Sequence, residues 1–273
     1  MDGCSRVVEV ETLGSTPRGI LERRSDGVNE GSRNRAAWTC QEVFEMRSRT
    51  AAASPSSLHS WRVEPRKAVR LQRILARRVS FRPFTHPVKR VAGCDVSYDS
   101  ITDSFRAAVV VLSWPGMEIL EVGRARGRVG FPYIPGLLRF REAPPILAAY
   151  RSLRSRPDLL LCDGQGLAHP RHFGLACHLG LWLDVPTIGC AKSILVGEHS
   201  PVPAPRGGRT ALRFKGRQVG VGLRTREGVR PVYVSPGHRV SIRQAAVWTL
   251  RCAKRYRLPE PTRLADLEVR RMR

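Results

Sequence analysis

Hydrophobic and polar positions alternate with recognisable periods only from Val63 onward. Ala68, Leu71, Ile74 and Leu75 recur at helical spacing inside a basic segment, which predicts an amphipathic helix. Residues 89–98 read as a strand, and Ala107-Ala108-Val109-Val110-Val111-Leu112-Ser113-Trp114 as a second. The turn Pro115-Gly116 leads into a third strand over roughly 117–128, so 91–128 predicts an antiparallel meander. After the Pro-rich loop 132–136, Ile146, Leu147, Tyr150 and Leu153 mark a helix over about 143–155, followed by a strand at 158–163. Phe173, Ala176, Cys177, Gly180 and Leu181 follow the spacing i, i+3, i+4, i+7, i+8 of a buried helix face. Thr187-Ile188-Gly189-Cys190 is a short strand, and 218–223 and 230–235 are two more. Ser241-x-x-Gln244 is a capping box that opens a helix from about 242 to 256, and the last fifteen residues read as irregular and basic.

The runs 91–97 and 158–163 are apolar on both faces, as central parallel strands are. Three meander strands followed by helix, strand, helix and strand give an α/β fold, a mixed sheet flanked by helices in a single domain over 61–273. In that arrangement Asp95 and Asp163 are expected near each other on adjacent strands.

Residues 1–60 lack this periodicity, are rich in Gly, Ser, Asn and Arg, and read as a disordered N-terminal extension, with Met46 a candidate internal start. They hold eight basic and eight acidic residues. The body therefore carries 39 basic against 15 acidic residues and the whole net charge of +24. Such an excess suits a polyanionic partner, because Lys and Arg that neutralise phosphates release counterions. The seven cysteines are scattered without a C-x-x-C pair, which predicts reduced thiols, small core residues and a cytoplasmic setting rather than a disulfide framework or zinc site. No stretch reaches the length of a membrane span, so no membrane partner is expected.

An ionised carboxylate is costly to bury without a partner. Asp95 inside Val91-Ala92-Gly93-Cys94-Asp95-Val96 and Asp163 after Leu159-Leu160-Leu161-Cys162 therefore point either to buried ion pairs or to a shared cation. With Glu142 they form a set able to hold Mg²⁺ for phosphodiester chemistry. Each also has a plain structural role open to it: Asp95 as a strand-end residue, Glu142 at a helix N-terminus, Asp163 in an Asp-Gly turn. Lys192 ends an apolar strand, where it meets an anion or snorkels to solvent. Pro132-Tyr133-Ile134-Pro135 is a stiff loop whose Tyr-Ile tip fits either a wedge between bases or a plug on the core. Gly164-Gln165-Gly166 does not complete a dinucleotide fingerprint, and no P-loop is present.

Six blocks in order resemble bacterial endonuclease V. They are Val-Ala-Gly-Cys-Asp-Val-Ser-Tyr (91–98), Pro-Tyr-Ile-Pro-Gly-Leu-Leu-Arg-Phe-Arg-Glu-Ala-Pro (132–144), the Asp-Gly-Gln-Gly block (163–176), Gly-Cys-Ala-Lys-Ser (189–193), Ser-Pro-Gly-His-Arg-Val-Ser (235–241) and Tyr-Arg-Leu-Pro-Glu-Pro-Thr-Arg (256–263). The resemblance implies a ribonuclease H-like fold and a Mg²⁺-dependent DNA repair endonuclease, with Mn²⁺ as a substitute. That activity cuts the second phosphodiester bond 3′ to deoxyinosine and leaves a 3′-hydroxyl and a 5′-phosphate. By the same resemblance Asp95 and Asp163 ligate the metal, and Glu142 and His238 complete the site directly or through water. Lys192 holds the scissile phosphate or the attacking water, and Tyr133 fills the gap left by the flipped base. Pro132, Ile134 and Pro135 carry that wedge, while Gly136, Leu138, Gly164 and His169 line the base pocket. The implied partner is deoxyinosine-containing DNA, with inosine-containing RNA a second candidate and no obligate protein partner. The alternatives are another ribonuclease H-like nuclease, such as a junction resolvase, or a noncatalytic nucleic-acid-binding protein.

Overall fold

The computed structural model describes residues 58–272; Met46 and most of the expected N-terminal extension lie outside them. The described chain starts packing earlier than the expected boundary at 61. Leu58 rests on the main core, and His59 Nε2 lies 2.7 Å from Nε2 of the buried His178.

Five helices and eight strands make up the described residues: α1 (Pro65–Ala76), β1 (Arg90–Asp99), β2 (Ser104–Ser113), β3 (Ile119–Arg128), α2 (Arg139–Arg151), β4 (Leu159–Cys162), α3 (Leu175–Leu183), β5 (Thr187–Ala191), β6 (Arg209–Phe214), β7 (Arg217–Leu223), β8 (Val232–Pro236), α4 (Ile242–Cys252) and α5 (Glu260–Arg271). The strands form one sheet in the order β3-β2-β1-β4-β5-β8-β7-β6. The β1–β2–β3 meander is antiparallel, whereas β1, β4 and β5 are parallel neighbours at the centre. The fully buried runs Val91–Cys94 and Leu159–Cys162 explain that placement, since only central strands between two helical layers hide both faces.

Strand alternation splits the core into two layers. Ala92, Cys94, Leu160 and Cys162 point toward α2 and α3, and pack on Ile146, Leu147, Leu175 and Leu179. Val91, Leu159, Leu161 and Ile188 point the other way, toward Ala245, Trp248 and Ala265 of α4 and α5. All five cysteines among the described residues are free and buried, as small core side chains.

The structure corrects the sequence reading in four places. The final residues are not irregular: α5 runs from Glu260 to Arg271 and buries Pro261, Thr262, Ala265 and Val269. Its run of charges hides a short apolar stripe, because a helix needs only one residue per turn to dock. α2 begins at Arg139 rather than near 143 and contains Pro144 and Pro145. Two missing N–H donors weaken a helix, but burial of Phe140, Ala143, Ile146, Leu147, Ala149 and Tyr150 outweighs that loss. α4 is shorter than expected and ends at Cys252; Ser241 caps it by accepting from the Gln244 backbone N–H at 3.1 Å. β6 has no alternating apolar pattern to announce it; it pairs with β7 through a tight turn at Lys215-Gly216, both with positive φ.

Candidate active site

The register of the central strands brings the two aspartates together. Cys94 of β1 pairs with Cys162 of β4, so Asp95 and Asp163 follow at the same level on adjacent strands. Strand β5 lies beside β4, with Cys162 opposite Gly189, and delivers Lys192 three residues further on. Lys192 Nζ sits 2.5 Å from Asp163 Oδ2. The Lys192 carbonyl is fixed in turn, since Arg257 donates to it at 2.7 Å and to the Pro231 carbonyl at 2.8 Å. Glu142 enters from the first turn of α2.

The electrostatics identify the same group. Burial, and then the Asp163 charge, push the Asp95 carboxyl up to about 7, with Asp266 adding a smaller push. Burial also raises Glu142 to about 7, with Arg139 opposing the shift and Asp163 reinforcing it. Partial burial pulls Lys192 down, but its Asp163 hydrogen bond and the charges of Asp95 and Asp266 outweigh that and leave it raised. Three carboxylates thus converge on one lysine, and Glu142 is tied to them through the Asp163 charge. Asp266, on α5, escapes the sequence reading because the charged segment around it shows no obvious period. Its signal is the Thr262, Ala265, Val269 stripe, which docks α5 and sets Asp266 next to the buried Ala265, where its carboxylate also pairs with Arg270 at 3.0 Å.

His238 is not brought to this group. Its backbone is locked to Thr187, the first residue of β5, whereas Lys192 follows the last. Its ring accepts the Ser80 backbone N–H at Nδ1 (3.2 Å) and places Nε2 3.7 Å from Asp184 Oδ1, at the far end of the strand from the carboxylates. The contacts suit a structural clamp, and burial lowers its pKa.

The expected wedge and base pocket lie next to Glu142. Tyr133 is 69% exposed, with exposed Pro132 and Pro135 beside it, while Ile134 packs on the Phe131, Leu137 and Phe140 cluster. The tip is therefore a tyrosine anchored by an isoleucine rather than two free apolar residues. Gly136 has φ +77°, a backbone conformation that favours glycine, and a Cβ there would displace only the Arg171 guanidinium, whose Nη2 it would meet at 2.8 Å. Its carbonyl accepts from Gln72 Nε2 (3.0 Å), Arg139 Nη2 (3.1 Å) and Arg171 Nη2 (2.6 Å). The buried His169 ring abuts Arg139 and accepts the Arg171 backbone N–H at 3.1 Å. Burial, and then the Arg139 charge, drive its pKa down to about 2, so it is neutral. Leu138 caps α2 and is half-buried. In Gly164-Gln165-Gly166 the tight constraint is internal. A Cβ on Gly166 would meet the Pro236 carbonyl oxygen at 2.2 Å, whereas one on Gly164 would meet only Leu175 at 3.5 Å.

Carboxylate oxygens are the donors that a hard divalent cation takes, and two of these carboxyls are held near neutrality by burial and by the negative charge around them. Among the described residues no three Asp, Glu, His or Cys side chains close into a ready-made cage. Lys192 supplies positive charge at Asp163. The chemistry of the donors fits Mg²⁺.

A sequence model of the endonuclease V family matches residues 73–267. The chain belongs to the endonuclease V family. It is 54% identical over 213 residues to the endonuclease V of Roseiflexus castenholzii, covering 78% of this chain and 95% of that one. To that of Gloeobacter violaceus it is 51% identical over 215 residues, with 78% and 87% covered. Its fold is the ribonuclease H-like fold of solved endonuclease V structures. That of Streptomyces avermitilis superimposes with a TM-score of 0.75 at 44% identity, over 78% of this chain and 94% of that one. A Ciona intestinalis endonuclease V in complex with a 23mer DNA containing an inosine followed by a ribo-adenosine superimposes with a TM-score of 0.69 at 26% identity, over 77% and 98%. Membership makes the chain a nuclease.

Proposed function

We propose that this nuclease is a Mg²⁺-dependent repair endonuclease that cuts the second phosphodiester bond 3′ to deoxyinosine in DNA, leaving a 3′-hydroxyl and a 5′-phosphate. The observation that carries the reading is the register that sets Asp95 and Asp163 one residue beyond the Cys94–Cys162 pair of adjacent parallel strands, with Lys192 paired to Asp163 and with Glu142 and Asp266 close enough to act on the charges there. Bound among these carboxylates, a divalent cation supplies charge stabilisation at the scissile phosphate and activates water. Asp95, Glu142, Asp163 and Asp266 hold it. Lys192 orients the phosphate, and its pairing with Asp163 keeps the ammonium charged for that purpose.

Inosine pairs weakly, so it leaves the stack at lower cost than an ordinary base. Tyr133, exposed and stiffened by two prolines, fills the vacated space, and Ile134 anchors the loop. The pocket runs along Gly136, Leu138, Gly164 and His169. A neutral His169 suits the wall of a base pocket better than a charged one, because it does not attract every phosphate. His238 supports the far end of β5 and takes no part at the metal. The free, buried cysteines support a reducing, cytoplasmic setting.

Purified protein incubated with a single-deoxyinosine duplex, with and without Mg²⁺, tests this reading. The expected result is one cut displaced 3′ of the lesion, dependent on Mg²⁺ and abolished in Asp163→Ala, which still binds the duplex. Cutting confined to four-way junctions, cutting confined to inosine in RNA, or binding without cutting would overturn it.

A further inference from the structure

Beside the base pocket lies an open cleft of about 470 Å³ that the proposed chemistry does not use. Arg73 of α1 and Arg77 at its C-cap, Arg171 and His172 of the β4–α3 loop, and Lys215 and Arg217 of the β6–β7 hairpin line it. No carboxylate lines it, and none of its five Lys and Arg side chains forms an ion pair with an acidic residue among the described residues. Cations gathered this way repel one another, and the repulsion has a visible effect: burial, then the Arg73 charge, lowers the pKa of Arg171. His172 adds a buried Nδ1 with no hydrogen-bond partner. Phe81 gives the lining an aromatic side chain.

Arg171 joins the cleft to the residues of the proposed base pocket. Arg171 lines the cleft yet donates to the Gly136 carbonyl at 2.6 Å, and its backbone N–H donates to His169. A chain of neighbouring groups runs from the carboxylates outward: Glu142 and Arg139 share the first turn of α2, Arg139 abuts His169 and meets Arg171 at the Gly136 carbonyl, and Arg171 and Arg73 line the cleft. The base pocket thus lies between the carboxylates and the cleft. A strand whose base sits in the pocket and whose 3′ phosphates reach Asp95 and Asp163 must send its 5′ side the other way.

We infer that this cleft binds the phosphodiester backbone on the 5′ side of the flipped base, through Arg73, Arg77, Arg171, Lys215 and Arg217. The inference rests on the proposed reading of the active site. It gives the enzyme a footprint on both sides of the lesion, so that the flipped nucleotide is held by backbone clamps rather than by the pocket alone.

The test uses the full chain and the variant Arg73→Gln/Arg77→Gln/Lys215→Gln/Arg217→Gln. All four side chains are exposed, so the fold tolerates the change. Affinity for single-deoxyinosine duplexes is measured against salt, with Ca²⁺ in place of Mg²⁺. The arm 5′ of the inosine is either full length or cut back to the lesion, and the 3′ arm is constant. In the unaltered protein, removing the 5′ arm should weaken binding and flatten the plot of log K against log salt by about 0.9 for each phosphate no longer neutralised. The variant should have a slope flatter by about 2 to 4 on the full duplex, and should respond little to removal of the 5′ arm. A variant that keeps the unaltered slope and arm dependence overturns the inference. So does an unaltered protein indifferent to the 5′ arm. Failure of the unaltered protein to cut at inosine would instead overturn the reading of the active site, and is measured separately in Mg²⁺.

Discussion

Two kinds of residue make the candidate site: those whose chemistry is unusual where they stand, and those that only the neighbours make unusual. Asp95 and Asp163 belong to the first kind, since a carboxylate directly after a fully buried apolar run is conspicuous in any sequence. Tyr133 belongs partly to the second. Its flanking prolines are legible in the sequence, but only the packing of Ile134 on Phe131 and Phe140 tells which of the two side chains is free to enter a duplex. Stacking an aromatic against bases is worth about 1–3 kcal/mol. Tyr133→Ala should therefore reduce the preference for inosine duplex over undamaged duplex by about tenfold in competition binding. An equal loss on both would count against the wedge. His238 shows the opposite failure: a histidine within a conspicuous motif, yet tied to Ser80 and Asp184 away from the carboxylates.

Elements matter here chiefly through how closely they approach. Helix α5 crosses β1 so tightly that a Cβ on Gly93 would lie 2.0 Å from the carbonyl carbon of Pro261. That close crossing sets the distance between Asp95 on the strand and Asp266 on the helix. Gly93→Ala must push α5 away, at a cost of about 1–3 kcal/mol for overpacking. We expect a lower melting temperature together with a drop in cleavage larger than the reduced stability explains. Unchanged activity in a folded Gly93→Ala protein would show that Asp266 has no part in the site. The strands of this layer are legible because burial on both faces leaves an unbroken apolar run. α5 and β6 are not, because each docks through only a few residues and is otherwise polar, and the start of α2 is hidden by prolines that tertiary burial overrides.

For the whole molecule, the converging carboxylates are a liability that a cation relieves. Asp95 and Glu142 ionise at about 7 in the folded chain, above their ordinary values of 3.8 and 4.5. Their contribution to stability is complete below about pH 4 and is lost as pH rises through 7. A divalent cation binds the ionised forms and so should restore stability increasingly over the same range. In chelator, the melting temperature of the unaltered protein should fall from pH 5 to pH 8 relative to that of Asp95→Asn. Mg²⁺ should narrow the gap, and parallel profiles for the two proteins would refute the coupling. The family, the central parallel strands, the excess charge of the body and most of the chemical groups are legible in the chain alone, because these depend on residue type and local period. Which groups meet follows from tertiary packing. It added Asp266, set His238 apart, showed Gly166 to be constrained by the Pro236 backbone, and gathered Arg73, Arg171 and Lys215 from distant segments into one cleft. Those juxtapositions arise where elements far apart in the chain pack together, and no local pattern encodes them.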